Sequence, residues 1–160
     1  MHLVIARVPT DRLGAVKLNK ILWFSDCQYY ARHGRTITGE DAYIRKDNGP
    51  CVARFESTLS GLKEDGAIVE KRVPALDYVR REFFAQTEPD LSILSGEEVD
   101  MLLVVAAQIA PMTAAEASAL SHDDLWDATP HRGAIPVAAA AVRVETLDPQ
   151  DLDWARSAFA

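Results

Sequence analysis

The spacing of apolar residues predicts a long central helix near the start of the chain. Thr10 or Asp11 can cap its first turn, and Gly34 supplies a stop after His33. At 100° per residue, two sides of this helix are apolar: Leu18, Ile21, Leu22 and Tyr29 on one, and Leu13, Val16, Phe24, Cys27 and Ala31 on the other. Because a helix that is apolar on two sides is covered by neighbours twice, we expect it at the centre of the fold.

A turn and a second, amphipathic helix follow. After an extended piece around Thr36–Ile37 and the segment Glu40–Arg45, the run Asp47-Asn48-Gly49-Pro50 predicts a turn with Pro50 as the first helical residue. The helix, roughly Pro50–Glu64, would bury apolar residues at three- and four-residue spacing: Val52, Phe55, Leu59 and Leu62. Gly66 ends it.

The next pattern predicts a small β-hairpin. Its strands would be Ala67–Val73 and Leu76–Ala85, with four side chains facing inward: Val69, Val73, Val79 and Phe83. Helix, turn, helix and hairpin in that order is the outline of a winged-helix unit.

The second half returns to helix. Ser95 and Glu98 fit a capping box at the start of a buried helix that Pro111 stops. Thr113 and Glu116 form a second capping box for a short successor. A last short helix is expected from Pro149 to Phe159. The fold class is therefore mainly α, a single helical domain with a small antiparallel β-hairpin and a winged-helix-like N-terminal half.

Length and composition favour one cytoplasmic domain. The 160 residues suit a single domain, residues 1–160, with its core at about 10–137 and a C-terminal tail at 138–160. Cys27 and Cys51 are too few for a disulfide framework, and we interpret them as two buried small hydrophobes. The longest apolar stretch, Met101–Ala107, is far short of the ~20 residues that a membrane span needs, and no signal peptide is visible.

Charge is divided unevenly along the chain. Through Glu82 there are 14 Lys/Arg and 11 Asp/Glu, whereas from Phe83 onward there are 3 and 13. This asymmetry indicates an acidic surface for a basic partner, or a solvated face that aids solubility. Net negative charge makes a generic nucleic-acid binder an unfavoured class.

Candidate chemistry is sparse. No phosphate-binding glycine loop, HExxH, GxSxG or CxxC motif occurs. The densest polar cluster could hold a cation or form a general acid–base pair: His122, Asp123, Asp124, Asp127 and His131. Alternatively, Ser121 or Asp123 caps a helix that starts there. We favour the cap, and expect no catalytic residue, no cofactor and no metal site.

One stripe of the first helix has the make-up of a protein-binding surface. Asn19, Trp23, Asp26 and Tyr30 follow one another at spacings of four, three and four. Trp and Tyr commonly dominate interfaces because they bury large areas at small entropic cost. The alternative is that Trp23 and Tyr30 are half-buried core aromatics.

Three segments together resemble the SocA-like antitoxin family, also called the Panacea domain. The first is Lys17-Leu18-Asn19-Lys20-Ile21-Leu22-Trp23-Phe24-Ser25-Asp26, continuing to Tyr30, Ala31, His33 and Gly34. The second is Gly49-Pro50-Cys51-Val52, with Phe55 and Leu59 beyond it. The third is Ser121-His122-Asp123 through Trp126, followed by Gly133 and Ile135-Pro136. The chain departs from the family pattern in its apolar N-terminal lead and its alanine-rich tail.

The resemblance implies a bacterial or phage antitoxin that neutralises a protein toxin encoded beside it. It further implies an adaptor that delivers the toxin to a ClpXP-type protease, with no catalytic residues. On this basis the candidate partner-binding residues are the α-helical stripe and the third segment: Asn19, Trp23, Asp26, Tyr30, His122, Asp123 and Trp126.

Two rival functions remain at the level of sequence. A winged-helix DNA-binding regulator would place four side chains in the major groove, Arg54, Ser57, Thr58 and Lys63, with Lys71 and Arg72 near phosphates. A metal-assisted hydrolase would be built on His122, Asp123 and Asp124.

Overall fold

The structure is a computed structural model that describes residues 1–75 and 78–142. Within these residues the chain forms seven α-helices: α1 His2–Arg7, α2 Ala15–His33, α3 Phe55–Glu64, α4 Gly96–Ile109, α5 Ala114–Ala119, α6 Asp124–Ala128 and α7 Val137–Ala141. It forms five strands: β1 Ala42–Lys46, β2 Gly49–Cys51, β3 Ile68–Ala75, β4 Tyr78–Ala85 and β5 Ala134–Pro136. The expectation of a helix-rich fold is confirmed, with more sheet than predicted. The helix predicted at Pro149–Phe159 lies outside the described residues.

Helix α2 is the centre of the molecule, as its two apolar sides predict. It packs against α4, α5, α7 and β2, and Leu18, Ile21 and Leu22 are at most 1% exposed. Gly34 ends it with φ 67°, the left-handed conformation expected of a C-terminal glycine. Its predicted start was wrong: Thr10–Arg12 is a separate 3₁₀ turn, and extended backbone at Leu13 and Gly14 separates that turn from Ala15.

The segment around Pro50 is a strand, not the first turn of a helix. Gly49–Cys51 pairs antiparallel with β1, with Lys46 opposite Gly49, so Asp47 and Asn48 form a two-residue hairpin loop. The predicted helix Pro50–Glu64 therefore begins five residues late, at Phe55. Asp47 and Asn48 suit a tight turn, and Gly49 follows it at φ 95°, a conformation typical of glycine just after a hairpin turn. This hairpin signal outweighs the preference of proline for a first helical position.

Strand β1 also pairs with a strand near the end of the described chain. It pairs antiparallel with β5, with Ala42 opposite Pro136 and Ile44 opposite Ala134, which gives a three-stranded sheet in the order β2-β1-β5. Because β1 and β2 separate α2 from α3, the winged-helix-like expectation is not confirmed.

The predicted β3–β4 hairpin is confirmed, but half of its inward residues were assigned to the wrong face. Phe83 is fully buried, whereas Val69 is 41% exposed and Val79 is 59% exposed. The side chain that packs inward near the base is Ile68, which shifts the alternation of β3 by one residue.

Both predicted capping boxes are present. Ser95 and Glu98 satisfy each other's backbone N–H groups at the start of α4, and Thr113 and Glu116 do the same at the start of α5. These caps set the residues at which α4 and α5 begin, and so they determine which side chains of the second half face outward.

Candidate functional site

The α2 stripe predicted as a binding surface lies mainly in the core. Asn19 is 6% exposed, Trp23 is 4% exposed and Asp26 has no exposed surface, while Tyr30 is half-buried. This burial fits the alternative, that Trp23 and Tyr30 are core aromatics, because the β1–β2 hairpin and the loop before it cover the stripe. A role of these residues in binding a partner stays a prediction.

Asp26 holds the loop that leads into β1. Its carboxylate accepts hydrogen bonds from the backbone N–H groups of Ile37 and Thr38, at 2.8 and 3.0 Å, and from the Thr38 hydroxyl. Tyr43 donates its hydroxyl to Asp26 Oδ2 at 2.7 Å, and Trp23 packs edge-on against the Tyr43 ring at 5.0 Å. Burial raises the pKa of Asp26, against the opposing effect of these four hydrogen bonds.

The three sequence segments that carry the family resemblance meet at one point. Lys20, from the first segment, donates its ammonium to the Pro50 carbonyl at 3.0 Å, and Asn19 accepts the Val52 N–H at 2.9 Å. Gly49 has φ 95°, and a Cβ at this position would collide with both Lys20 Nζ and Ser121 Oγ. Glycine at 49 is therefore required by the close approach of the first and third segments.

Lys20 is the most unusual group at this junction. Its side chain is 1% exposed, and burial lowers its pKa to about 7. The sequence carries a signal that could have indicated it: at 100° per residue Lys20 falls on the same apolar side as Cys27 and Leu13. A lysine on an apolar side of a central helix is buried, and burial disfavours its charged form.

A stack of three side chains lies above the junction. The His122 and Trp126 rings are parallel within 12°, with their centroids 3.9 Å apart. The Arg45 guanidinium lies 4.0 Å from the centroid of the Trp126 ring. Trp126 also donates its indole N–H to the Lys46 carbonyl at 3.3 Å. All three stacked side chains are partly exposed. The sequence indicated His122 and Trp126, but nothing in it pointed to Arg45.

Asp123 caps α6, as the favoured interpretation predicted. Its carboxylate accepts the Trp126 N–H at 2.8 Å. His122 lies 3.3 Å from the Ser118 hydroxyl, and its pKa is lowered by burial and by the charge of Lys20. This segment therefore has a structural role in holding Trp126 over β1.

The structure does not bring the predicted metal-binding residues together. His131 pairs with Asp47 at 3.3 Å, whereas His122 stacks on Trp126. Among residues 1–75 and 78–142, no group of three or more His, Cys, Asp and Glu side chains could hold a metal ion. Cys27 and Cys51 are both buried and unpaired, and burial raises the pKa of each thiol, as expected of small core residues.

The residues of the DNA-binding rival are spread over an ion-paired surface. Arg54 pairs with Glu40 at 3.1 Å, and Lys63 pairs with Glu70 at 3.0 Å. Ser57 donates its hydroxyl to the Arg54 carbonyl, and Thr58 is exposed. On the hairpin, Lys71 lies over the Phe84 ring and Arg72 is exposed.

Comparison with known proteins gives one family. A family model described as "Antitoxin SocA-like, Panacea domain" matches residues 18–127. The match begins at the Leu18 turn of α2 and ends within α6, so it contains Lys20, Gly49 and Ser121. Neither the curated proteins nor the solved structures give a match. No helix in the described part of the chain is long and apolar enough to cross a membrane.

Proposed function

Because the chain belongs to the family of SocA-like antitoxins with a Panacea domain, we propose that it neutralises a cognate protein toxin by binding it directly. The family match carries this proposal. It covers 110 of 160 residues, counted from 18 to 127, and includes the whole junction of α2, β2 and the turn before α6.

The second half of the chain supports binding to a basic protein. From Phe83 to His131 the sequence holds nine Asp and Glu residues and neither Lys nor Arg. A surface of this charge attracts a cationic partner and raises its rate of association. A toxin that acts on nucleic acids needs a cationic surface to bind them, and an acidic antitoxin would cover that surface.

We place the contact surface on the partly exposed side of the junction. Trp126 and His122 offer flat, half-exposed rings, and Tyr30 is half-buried. The buried side chains of Asn19, Trp23 and Asp26 would contribute to binding indirectly, because they position β1 and the loop before it. Asp123 would hold α6 in place through its cap.

Co-expression tests the proposal. The chain is expressed with the protein encoded by the adjacent reading frame, in cells whose growth that protein arrests. Restored growth together with co-purification of the two proteins at a fixed ratio is the expected result. Continued growth arrest, or separate elution of the two folded proteins, would rule out the proposed antitoxin function.

We also propose that the chain delivers the bound toxin to a ClpXP-type protease in the cytoplasm. Delivery and simple occlusion differ in the fate of the toxin. With the antitoxin present, delivery shortens the half-life of the toxin in cells with ClpX, and deletion of ClpX restores it. An unchanged half-life would leave occlusion as the mechanism of neutralisation.

A further inference from the structure

The Arg45 guanidinium is held in place by an aromatic ring. It lies 4.0 Å from the centroid of the Trp126 ring, and the centroid of the His122 ring lies 3.9 Å from that of Trp126. Because two groups this close to an indole cannot share one of its faces, they cover opposite faces. The Nε atom of Arg45 is buried and has no hydrogen-bond partner among the residues that the structure describes.

Other partly buried or exposed arginines of the chain pair with carboxylates. Five of them form ion pairs: Arg7, Arg35, Arg54, Arg80 and Arg81. Within residues 1–75 and 78–142, Arg45 forms none, although its side chain is only partly exposed. Burying part of a guanidinium without a counter-charge destabilises the free protein, and an incoming carboxylate would offset that cost.

The surroundings of Arg45 fix the direction from which a partner can reach it. On β1, its backbone N–H donates to the Gly133 carbonyl at 2.9 Å, and its carbonyl accepts the Arg132 N–H at 3.0 Å. The Trp126 ring is fixed by the hydrogen bond of its indole N–H to the Lys46 carbonyl. With Nε buried, the end of the side chain open to a partner carries the two Nη groups. Such a planar fork matches the two oxygens of a carboxylate.

The charges around Arg45 indicate where that carboxylate comes from. Helix α6, which carries Trp126, also carries the exposed Asp127 and is preceded by the exposed Asp123. A basic protein attracted to this acidic region would place a cation against Arg45 unless it has a carboxylate at that point. Like charges that face each other across an interface reject a wrong partner, so Arg45 can distinguish one basic protein from another.

We propose that Arg45 binds the side-chain carboxylate of an Asp or Glu residue of the toxin, and that this contact selects the cognate toxin among basic proteins. The contact rests on the function proposed above, and it adds a specificity-determining residue to the surface of His122 and Trp126. Arginine and tryptophan are among the residues that most often dominate the energy of protein interfaces.

The first test compares three variants of the full chain. Arg45→Gln removes the charge and the fork, and Arg45→Lys keeps the charge but loses the planar fork. Arg72→Gln is the matched control, because it removes the same charge from an exposed arginine of β3. Affinity for the protein encoded by the adjacent reading frame is measured by calorimetry, and the melting temperature of each variant is recorded.

Both Arg45 variants should weaken binding. We expect a loss of at least about tenfold for Arg45→Gln and about fivefold for Arg45→Lys, against less than about threefold for Arg72→Gln. If Arg45→Gln has a lower melting temperature but binds as tightly as the unmodified chain, Arg45 only supports the fold and the assignment is overturned.

The second test identifies the carboxylate. Each Asp and Glu of the toxin is changed to Asn or Gln, and its binding to the unmodified chain and to Arg45→Gln is compared. One toxin substitution should weaken binding to the unmodified chain by about tenfold and leave binding to Arg45→Gln nearly unchanged. If no side-chain carboxylate of the toxin is coupled to Arg45 in this way, the assignment is overturned.

The outcomes separate the two proposals. If the unmodified chain does not bind the toxin, the proposed function fails and the role of Arg45 fails with it. If the unmodified chain binds and Arg45→Gln binds equally well, only the role of Arg45 is overturned. It is also overturned if Arg45→Gln abolishes self-association of the chain while toxin binding persists, because the carboxylate then belongs to a second copy.

Discussion

Replacing Lys20 by Met should remove a large part of the dependence of stability on pH. Lys20 is 1% exposed, its ammonium donates to the Pro50 carbonyl at 3.0 Å, and burial lowers its pKa from 10.5 to about 7. Between pH 7 and pH 10 the unfolded chain keeps this proton and the folded chain releases it. The stability of the folded state therefore rises with pH through this window and is lowest below pH 7.

The expected size follows from the pKa shift. Each pH unit between the two pKa values changes the free energy of unfolding by about 1.4 kcal/mol, so the contribution of Lys20 rises by about 3 kcal/mol from pH 6 to pH 9. Methionine has a similar length, no charge and good tolerance of buried sites. It loses the hydrogen bond to Pro50, which costs about 1 kcal/mol at every pH.

Urea denaturation followed by tryptophan fluorescence at pH 6, 7.5 and 9 measures this effect. Lys20→Met should be more stable than the unmodified chain at pH 6, and that advantage should shrink by about 3 kcal/mol at pH 9. Lys46→Met, on the exposed end of β1, is the matched control and should leave the pH profile unchanged. A constant difference between Lys20→Met and the unmodified chain from pH 6 to 9 would refute the argument that burial lowers the pKa of Lys20.

Substitutions at three further positions test the junction, the hydrogen bond to Asp26 and one helix cap. Gly49→Ala forces a Cβ against Ser121 at a positive φ and should cost about 2 kcal/mol or more, measured by chemical denaturation; stability equal to the unmodified chain would contradict the close approach. Tyr43→Phe removes the hydroxyl that donates a hydrogen bond to Asp26 and should lower stability by about 2 kcal/mol, with the melting temperature as readout; an unchanged stability would mean that this hydrogen bond is not made. Ser95→Ala should cost about 1 kcal/mol and Ser95→Asp much less, since Asp also caps; equal losses would argue against the cap.

Local signals in the sequence were sufficient for several helix ends, but not for α1 and α7 or for the first residues of α2 and α3. The two capping boxes, the glycine stop at Gly34 and the double apolar periodicity of α2 each depend on residues within one or two turns. Such features do not depend on what packs against them, and all were confirmed.

Long-range features could not be predicted in the same way. The partner of β1 is Ala134–Pro136, about 90 residues away, and nothing local to Ile135 distinguishes it from a loop. Contacts between separate parts of the chain also explain why the burial of Asn19 and Asp26 was not predicted. Asn19 accepts the Val52 N–H, and Asp26 accepts hydrogen bonds from Thr38 and Tyr43, which lie 12 to 33 residues further along the chain.

The candidate site was predicted in part for the same reason. His122, Asp123 and Trp126 were found as a motif, and the cap by Asp123 is local. Arg45 belongs to the site through a contact across the chain that no sequence signal indicates. The periodicity of α2 indicates that Lys20 is buried, but only the structure shows its contact with Pro50.

The pairing of β1 with β5 has a consequence for synthesis. A ribosome releases Ala42–Lys46 long before it reaches Ala134–Pro136, so the first strand emerges with one edge open and α2 still lacks the cover of α7. The nascent chain completes this packing only when β5 and α7, residues 134–141, have been made. Any product that stops short of residue 134 would thus present an open strand edge and an uncovered helix to the quality-control machinery of the cell.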